Sequence, residues 1–149
     1  MPHCGIGVDV ITGFPGETEE DFLETYQFLN ELDVSYLHVF TYSERANTQA
    51  LEMDGVVSLK DRQKRSKMLR ALSEKKKRYF YEQHVDQMQT VLFEDDVEDG
   101  HMHGFTENYI RIKAKYDPVL INEMKVVKMA RVDARGLMEV EEVEEILAH

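Results

Sequence analysis

The stretch V-I-T-G-F-P-G-E-T-E, from Val10 to Glu19, decides the fold of the first half of this chain. An apolar segment runs into a Gly-Phe-Pro-Gly turn, and Glu17 and Thr18 then open an amphipathic segment. Such a turn places backbone N–H groups and a helix N-terminus at the carboxyl end of a strand. Parallel α/β folds bind their ligands at that end of the sheet. The stretch therefore predicts a ligand-binding edge.

The residues around the turn predict a β-α-β unit. Residues 6–12 are mostly apolar on both faces, which is typical of a strand covered on both sides in a parallel sheet. Thr18 is the predicted N-cap of a helix that ends near Leu32, and residues 36–40 form the next predicted strand. One such unit cannot close a parallel barrel, so we expect this half to be the end of a larger, TIM-like α/β domain whose earlier part is missing.

Basic residues are concentrated in one segment of an acidic chain. The net charge is −11, but residues 58–83 contain ten Lys or Arg and three acidic residues. Ser58 is the predicted cap of a long helix here, with Asp61 in the capping-box position. A local basic surface can bind phosphate even on an acidic protein, although such a helix is also commonly a solvated face. Both interpretations stay open at this point.

The last third of the chain has the pattern of a small all-β domain. From about Gln87 the apolar period changes to two, and turn residues separate five predicted strands at 88–94, 101–106, 109–115, 125–132 and 137–143. Five short strands predict a closed barrel of the oligonucleotide-binding (OB) type. We place the domain boundary so that residues 1–84 form the α/β part and residues 85–149 the barrel.

Composition limits the remaining possibilities. No apolar run approaches the roughly 20 residues that span a bilayer, and no signal peptide is recognisable, so we expect a cytoplasmic protein without a membrane partner. Cys4 is the single cysteine, whereas an iron–sulfur cluster typically needs three or four thiolates. His101 and His103 alternate along one predicted strand, but without a third nearby ligand we expect no metal site.

Three motifs resemble those of the radical S-adenosylmethionine methylthiotransferases. Residues 9–22, D-V-I-T-G-F-P-G-E-T-E-E-D-F, are similar to the family's D-I-I-x-G-F-P-G-E-T-E-E-D-F. Residues 37–50, L-H-V-F-T-Y-S-E-R-A-N-T-Q-A, are similar to its H-V-F-x-Y-S-x-R-x-G-T-x-A. Residues 104–112, G-F-T-E-N-Y-I-R-I, resemble the signature of the TRAM domain, the small RNA-binding barrel that ends these enzymes. The resemblance is collinear and covers essentially the whole chain.

The resemblance implies a tRNA-modifying enzyme. Arg45, which follows Tyr42-Ser43, favours the branch that adds a methylthio group at carbon 2 of threonylcarbamoyladenosine next to the anticodon. Such an enzyme uses S-adenosylmethionine and two 4Fe–4S clusters, and cysteines of N-terminal domains hold the clusters. This chain would then contain no catalytic residue and be inactive alone. Its implied partners are the tRNA anticodon stem-loop and the missing N-terminal domains.

The resemblance also implies two sets of site residues. Gly13, Pro15 and Gly16 would form the floor under S-adenosylmethionine, and Val39 and Phe40 would contact its adenine. The implied RNA-binding residues are Arg45, Lys75, Lys76, Lys77, Arg78, Phe105, Asn108, Tyr109, Arg111 and Lys113. A structural alternative accompanies each set: the turn would then simply end a strand, and the strand and barrel residues would simply form cores.

Two other functions stay open. One is the related branch that methylthiolates a ribosomal protein, in which the barrel would dock a protein. The other is a non-catalytic RNA-binding module. The chain also departs from the family pattern at Asn122, which replaces a common glycine before the fourth barrel strand; asparagine tolerates the positive φ that glycine provides there.

Overall fold

The computed structural model describes residues 4–44 and 55–142. These residues divide into two compact units, Ile6–Lys76 on the one hand and residues 77–142 with residues 4 and 5 on the other. The predicted domain boundary between residues 84 and 85 stays a prediction. The elements are β1 (Gly7–Thr12), α1 (Glu19–Glu31), β2 (Tyr36–Thr41), α2 (Leu59–Glu82), β3 (Met88–Phe93), β4 (His101–Thr106), β5 (Arg111–Lys115), a 3-10 helix (Pro118–Leu120), β6 (Met124–Val132) and β7 (Met138–Glu142).

Strands β1 and β2 pair in parallel, which confirms the predicted β-α-β unit. The core of this unit lies on one face of the two strands, where Val10 and Leu37 pack with apolar residues of α1 and α2. On the opposite face Ile11 is 61% exposed and Phe40 is 54% exposed. Among the described residues both helices pack on the Val10 side, so the predicted cover of the second face stays a prediction.

The predicted helix caps are present. Thr18 Oγ1 accepts a hydrogen bond from Asp21 N, and Asp21 Oδ2 accepts one from Thr18 N, each at 3.1 Å. Ser58 Oγ accepts a hydrogen bond from Asp61 N, also at 3.1 Å. Side chains of this kind bind N–H groups that have no partner within a helix, and so they fix the residue at which each helix begins.

The second unit contains a closed five-stranded barrel in the order β3-β4-β5-β7-β6, which confirms the small barrel. Its pairs are antiparallel except for the parallel pair of β5 with β7. β5 begins later than predicted, because Tyr109 adopts a positive φ of 64° in a turn before the strand. Asn122 has a φ of 61°, as its place in the family pattern predicts. The barrel core is formed by Phe80, Tyr81, Val91, Phe93, Met102, Ile110, Ile112, Leu120, Val127, Met129 and Met138.

A residue without a side chain is required at Gly104, where β4 pairs with β3. A Cβ atom at this position would lie 2.5 Å from the carbonyl oxygen of Leu92, well inside normal contact distance. Among the described residues, no helix is both long enough and apolar enough to cross a membrane.

Candidate functional site

The turn at the carboxyl end of β1 is held in shape by one carboxylate. Glu17 Oε1 accepts hydrogen bonds from Gly13 N at 3.0 Å and from Thr12 Oγ1 at 3.3 Å. Gly13 and Gly16 have φ values of 83° and 93°, in the left-handed region that glycine enters without side-chain strain. Glu17 is therefore an internal support of the turn, a role that its place after the glycines did not reveal.

Two buried arginines of α2 support the same turn. Arg65 Nη1 donates to Glu17 Oε1 at 2.8 Å and to the Glu17 carbonyl at 2.9 Å. Arg62 lies directly under Gly13, so that a Cβ on Gly13 would be 2.5 Å from Arg62 Cγ. The basic composition of α2 predicted either a phosphate-binding surface or a solvated face and did not indicate this internal role. The signal was their spacing, since both arginines fall on the helix face of Leu69 and Leu72.

Arg62 also links the segment after β2 to the turn after β1, because it contacts both. Its Nε donates to the Val57 carbonyl at 2.8 Å, and its Nη1 donates to Glu44 Oε2 at 3.0 Å. Its Nη2 pairs with the other carboxylate oxygen of Glu44. The hydrogen-bonded guanidinium lowers the pKa of Glu44 below its ordinary value. The carboxyl ends of β1 and β2 are thereby fixed by one helix.

The predicted cofactor residues fall into two groups. Gly13, Pro15 and Gly16 form the turn itself, and Phe40 lies on the open face of the sheet, opposite Ile11 in the β1–β2 register. The side chain of Val39 points the other way and packs against the core, because neighbouring strand residues face opposite sides. Ile11 was not among the predicted cofactor residues. Side chains alternate between the two faces of a strand, and its pairing with Phe40 would have placed Ile11 on the same open face.

The basic residues predicted on α2 differ in their availability. Lys76 Nζ donates to the Leu32 carbonyl at 2.8 Å, near the end of α1, and burial lowers the pKa of Lys76. Arg78 pairs with Glu82 at 3.1 Å and donates to the Asp133 carbonyl at 2.9 Å. Lys75 is exposed and Lys77 is half-buried. Arg45 lies outside the described residues.

On the barrel, three of the predicted RNA-binding residues have accessible side chains. The guanidinium carbon of Arg111 lies 5.1 Å from the centroid of the Phe105 ring, and the two residues are partners in the β4–β5 register. Both are half-buried, whereas Tyr109 is 67% exposed. The structure therefore brings together an aromatic ring and a cation on neighbouring strands, next to a turn that presents a second aromatic ring.

The other two predicted barrel residues have internal partners. Asn108 Nδ2 donates to Nε2 of the buried His84 at 3.3 Å. His84 Nδ1 in turn donates to the Phe80 carbonyl oxygen at 2.8 Å. Lys113 Nζ lies 2.6 Å from Asp133 Oδ2, and this hydrogen bond raises the pKa of Lys113. The assignment of Asn108 and Lys113 to RNA contact stays a prediction. In the structure, both side chains also bind other residues of the barrel unit.

The two histidines of β4 have partners of their own. His103 Nδ1 lies 2.6 Å from Asp96 Oδ2, and Asp96 Oδ1 accepts a hydrogen bond from His103 N at 2.9 Å. His101 Nδ1 lies 3.0 Å from the Asp99 carbonyl oxygen. Partial burial raises the pKa of Asp96, but the hydrogen bonds from His103 outweigh it and the net shift is downward. These contacts stabilise the loop between β3 and β4.

No protein-family model matches the chain. It is 40% identical over 112 residues to the threonylcarbamoyladenosine tRNA methylthiotransferase of Aquifex aeolicus, a match that covers 75% of this chain and 26% of that protein. It is 39% identical over 107 residues to the tRNA-2-methylthio-N(6)-dimethylallyladenosine synthase of Syntrophus aciditrophicus, covering 72% and 21%. It is 37% identical over 103 residues to a ribosomal protein methylthiotransferase of Alkaliphilus oremlandii, covering 69% and 24%. The chain thus spans about a quarter of the length of these relatives.

Proposed function

Since this chain belongs to the family of radical S-adenosylmethionine methylthiotransferases, we propose that it is part of an enzyme that adds a methylthio group at carbon 2 of threonylcarbamoyladenosine next to the tRNA anticodon. The observation that carries the RNA part of this proposal is the accessible group of Phe105, Tyr109 and Arg111 on the closed barrel. The three relatives are named for three different substrates, and their identities to this chain, 40%, 39% and 37%, are too similar to favour one substrate. The choice of threonylcarbamoyladenosine rests on Arg45 after Tyr42-Ser43.

The open face of β1 and β2 supports a larger parallel barrel in the parent enzyme. Ile11 and Phe40 are large apolar side chains on the face that α1 and α2 leave uncovered. In a TIM-type barrel the inner ends of the strands are filled by such side chains from neighbouring strands. We therefore assign residues 1–84 to the end of the radical domain and residues 85–149 to the TRAM domain.

S-adenosylmethionine fits the edge at which β1 and β2 end. A turn with Gly13 and Gly16 at positive φ lets a ligand approach the backbone closely, and Phe40 with the backbone of Val39 would pack on a nucleoside. In these enzymes S-adenosylmethionine supplies the methyl group and, with a 4Fe–4S cluster, the radical. The chain does not fit a cluster, since Cys4 is its single cysteine. Both clusters and the catalytic residues are therefore assigned to N-terminal domains of a cytoplasmic parent enzyme, and the isolated chain to an inactive part of it.

The backbone at Tyr109 supports a role in binding. A bulky residue with φ of 64° is strained, and such strain is typically retained where a side chain serves function. Stacking of an unpaired base on an exposed aromatic ring is worth roughly 1–3 kcal/mol. We assign the direct base contacts to Phe105, Tyr109 and Arg111, while Asn108 and Lys113 shape the turn and strand that present them.

The similarity to a ribosomal protein methylthiotransferase supports a second candidate function. In that case the same barrel surface would dock a protein, with Tyr109 and Phe105 as apolar anchors. Aromatic residues and arginine are enriched at the centres of protein interfaces as well, so the side chains alone fit both partners. Binding to the two substrates separates the two functions.

Fluorescence anisotropy of the chain with a labelled anticodon stem-loop, at salt concentrations from about 50 to about 300 mM, tests the proposal. We expect binding that weakens with salt, and a loss of about tenfold or more in affinity for Tyr109→Ala. Tyr116→Ala is the matched control, because Tyr116 is an exposed tyrosine of the same unit. A folded chain that binds the ribosomal protein and not the stem-loop would move the assignment to the second function.

A further inference from the structure

The cations of α2 include an internal group and an external group. Arg62 and Arg65 are 2% and 5% exposed. Arg65 donates to Glu17 in the turn after β1, and Arg62 packs under Gly13 and binds Glu44. Lys76 binds carbonyls near the end of α1. By contrast, four exposed lysines have no hydrogen bond or ion pair to any described residue, and these are Lys60, Lys64, Lys67 and Lys75. The external group defines a surface that we call the lysine stripe.

The lysine stripe lies along one face of α2. The spacings from Lys60 to Lys64 and from Lys64 to Lys67 are four and three residues, which places side chains one above the other on a helix. Ala71 continues the row and Lys75 ends it, so the stripe is about 22 Å long at 1.5 Å per residue. Asp61 and Glu74 are exposed acidic residues that border it. The small side chain of Ala71 leaves the middle of the row open to close approach.

The charge distribution makes the stripe a suitable place for a polyanion. The chain has a net charge of −11 and therefore repels nucleic acid as a whole. The cations of the described barrel are partly neutralised, because Lys113 is paired with Asp133 and Arg131 with Glu139. The repulsion between this acidic chain and RNA must be offset by a local cluster of cations that are not paired with acidic residues. The lysine stripe is such a cluster.

We infer that the lysine stripe is a second RNA-contact surface, which takes the sugar–phosphate backbone of the tRNA. This inference rests on the proposed function for the identity of the RNA, and it adds Lys60, Lys64 and Lys67 to Lys75, which the family resemblance already implied. Lysine ammonium groups are mobile point charges that suit phosphate oxygens and carry no base readout. The stripe therefore contributes affinity and salt dependence, and the barrel contributes recognition of bases.

The dependence of affinity on salt tests the stripe. Each phosphate contact contributes about 0.7 to 0.9 to the slope of log K against log salt. Lys64→Gln with Lys67→Gln is expected to reduce the slope for a labelled anticodon stem-loop by about 1.4 to 1.8. Glu74→Gln is expected to raise affinity a few-fold, because it removes an acidic residue beside the row. All three side chains are exposed, so the urea midpoint should match that of the wild-type chain.

The matched control makes the same change in net charge at a different place in the chain. Gln27→Glu with Asn30→Asp on exposed positions of α1 lowers the net charge by the same two units as the lysine pair, and it should leave the slope unchanged. Slopes that are equal for the wild type and the lysine variant overturn the stripe, even when Tyr109→Ala still weakens binding. A lysine effect without a Tyr109 effect keeps the stripe and contradicts the barrel assignment. A folded wild-type chain that does not bind RNA overturns both.

Discussion

Gly13 and Gly16 have similar backbone conformations but different surroundings. Both have positive φ, so that any side chain introduces backbone strain. At Gly16 no atom lies within 4 Å of an added Cβ, whereas at Gly13 the Cγ, Cβ and Cδ atoms of Arg62 lie within 3.2 Å. The two positions therefore separate the cost of the backbone conformation from the cost of displacing Arg62.

Gly16→Ala is expected to lower the free energy of unfolding by about 1–2 kcal/mol from backbone strain alone. Gly13→Ala is expected to lower it by a further 1–3 kcal/mol or so, because Arg62 must move out of a packed position. Urea unfolding followed by circular dichroism measures both. Equal losses would show that Arg62 yields without cost, and the described packing under the turn would then be wrong.

At the scale of the element, α2 combines three roles on two faces of one helix. Leu69 and Leu72 pack in the core, Arg62 and Arg65 on the same side support the turn, and the lysine stripe is exposed. The sequence predicted the helix and its cap, because periodicity and capping are local properties of the chain. It did not distinguish the internal arginines from the external lysines, because their partners lie far away along the chain.

Arg65→Met is expected to lower the free energy of unfolding by about 3 kcal/mol, because it leaves the largely buried carboxylate of Glu17 without its cationic partner. Lys64→Met, one residue earlier on the exposed side, is the control and should change stability by less than about 0.5 kcal/mol. Urea midpoints of the two variants measure the difference. Similar midpoints would mean that water replaces the arginine at Glu17.

At the scale of the whole molecule, acidic residues outnumber basic ones by 29 to 18, and several described carboxylates have cationic or N–H partners. Partial burial raises the pKa of Asp133, but hydrogen bonds from Lys113 and from the backbone N–H groups of Leu137 and Arg135 outweigh it, so the pKa lies below the ordinary 3.8. A carboxyl group with a lowered pKa in the folded state stabilises the protein above its ordinary pKa, and this contribution is lost as the pH falls through the folded-state value.

Asp133→Asn is therefore expected to destabilise the barrel by about 2 kcal/mol near neutral pH. The difference from the wild type should shrink as the pH is lowered below about 4, because the wild-type carboxyl group is then protonated as well. Urea unfolding across this pH range measures the change. Asp95→Asn is the control, because Asp95 is exposed and its side chain makes no hydrogen bond or ion pair with another described residue. A constant difference at all pH values would exclude the ionised Lys113–Asp133 contact as its source.

The sequence by itself determined the family, the β-α-β unit, the closed small barrel and the helix caps at Thr18 and Ser58. These depend on periodicity, turn residues and motifs that extend over a few neighbouring residues. The tertiary structure decided which charged residues are internal and which face of each strand is open. The reason is physical: the partner of a charged group is chosen by distant segments, as when Arg65 binds Glu17 across 48 residues, and no local pattern contains that contact.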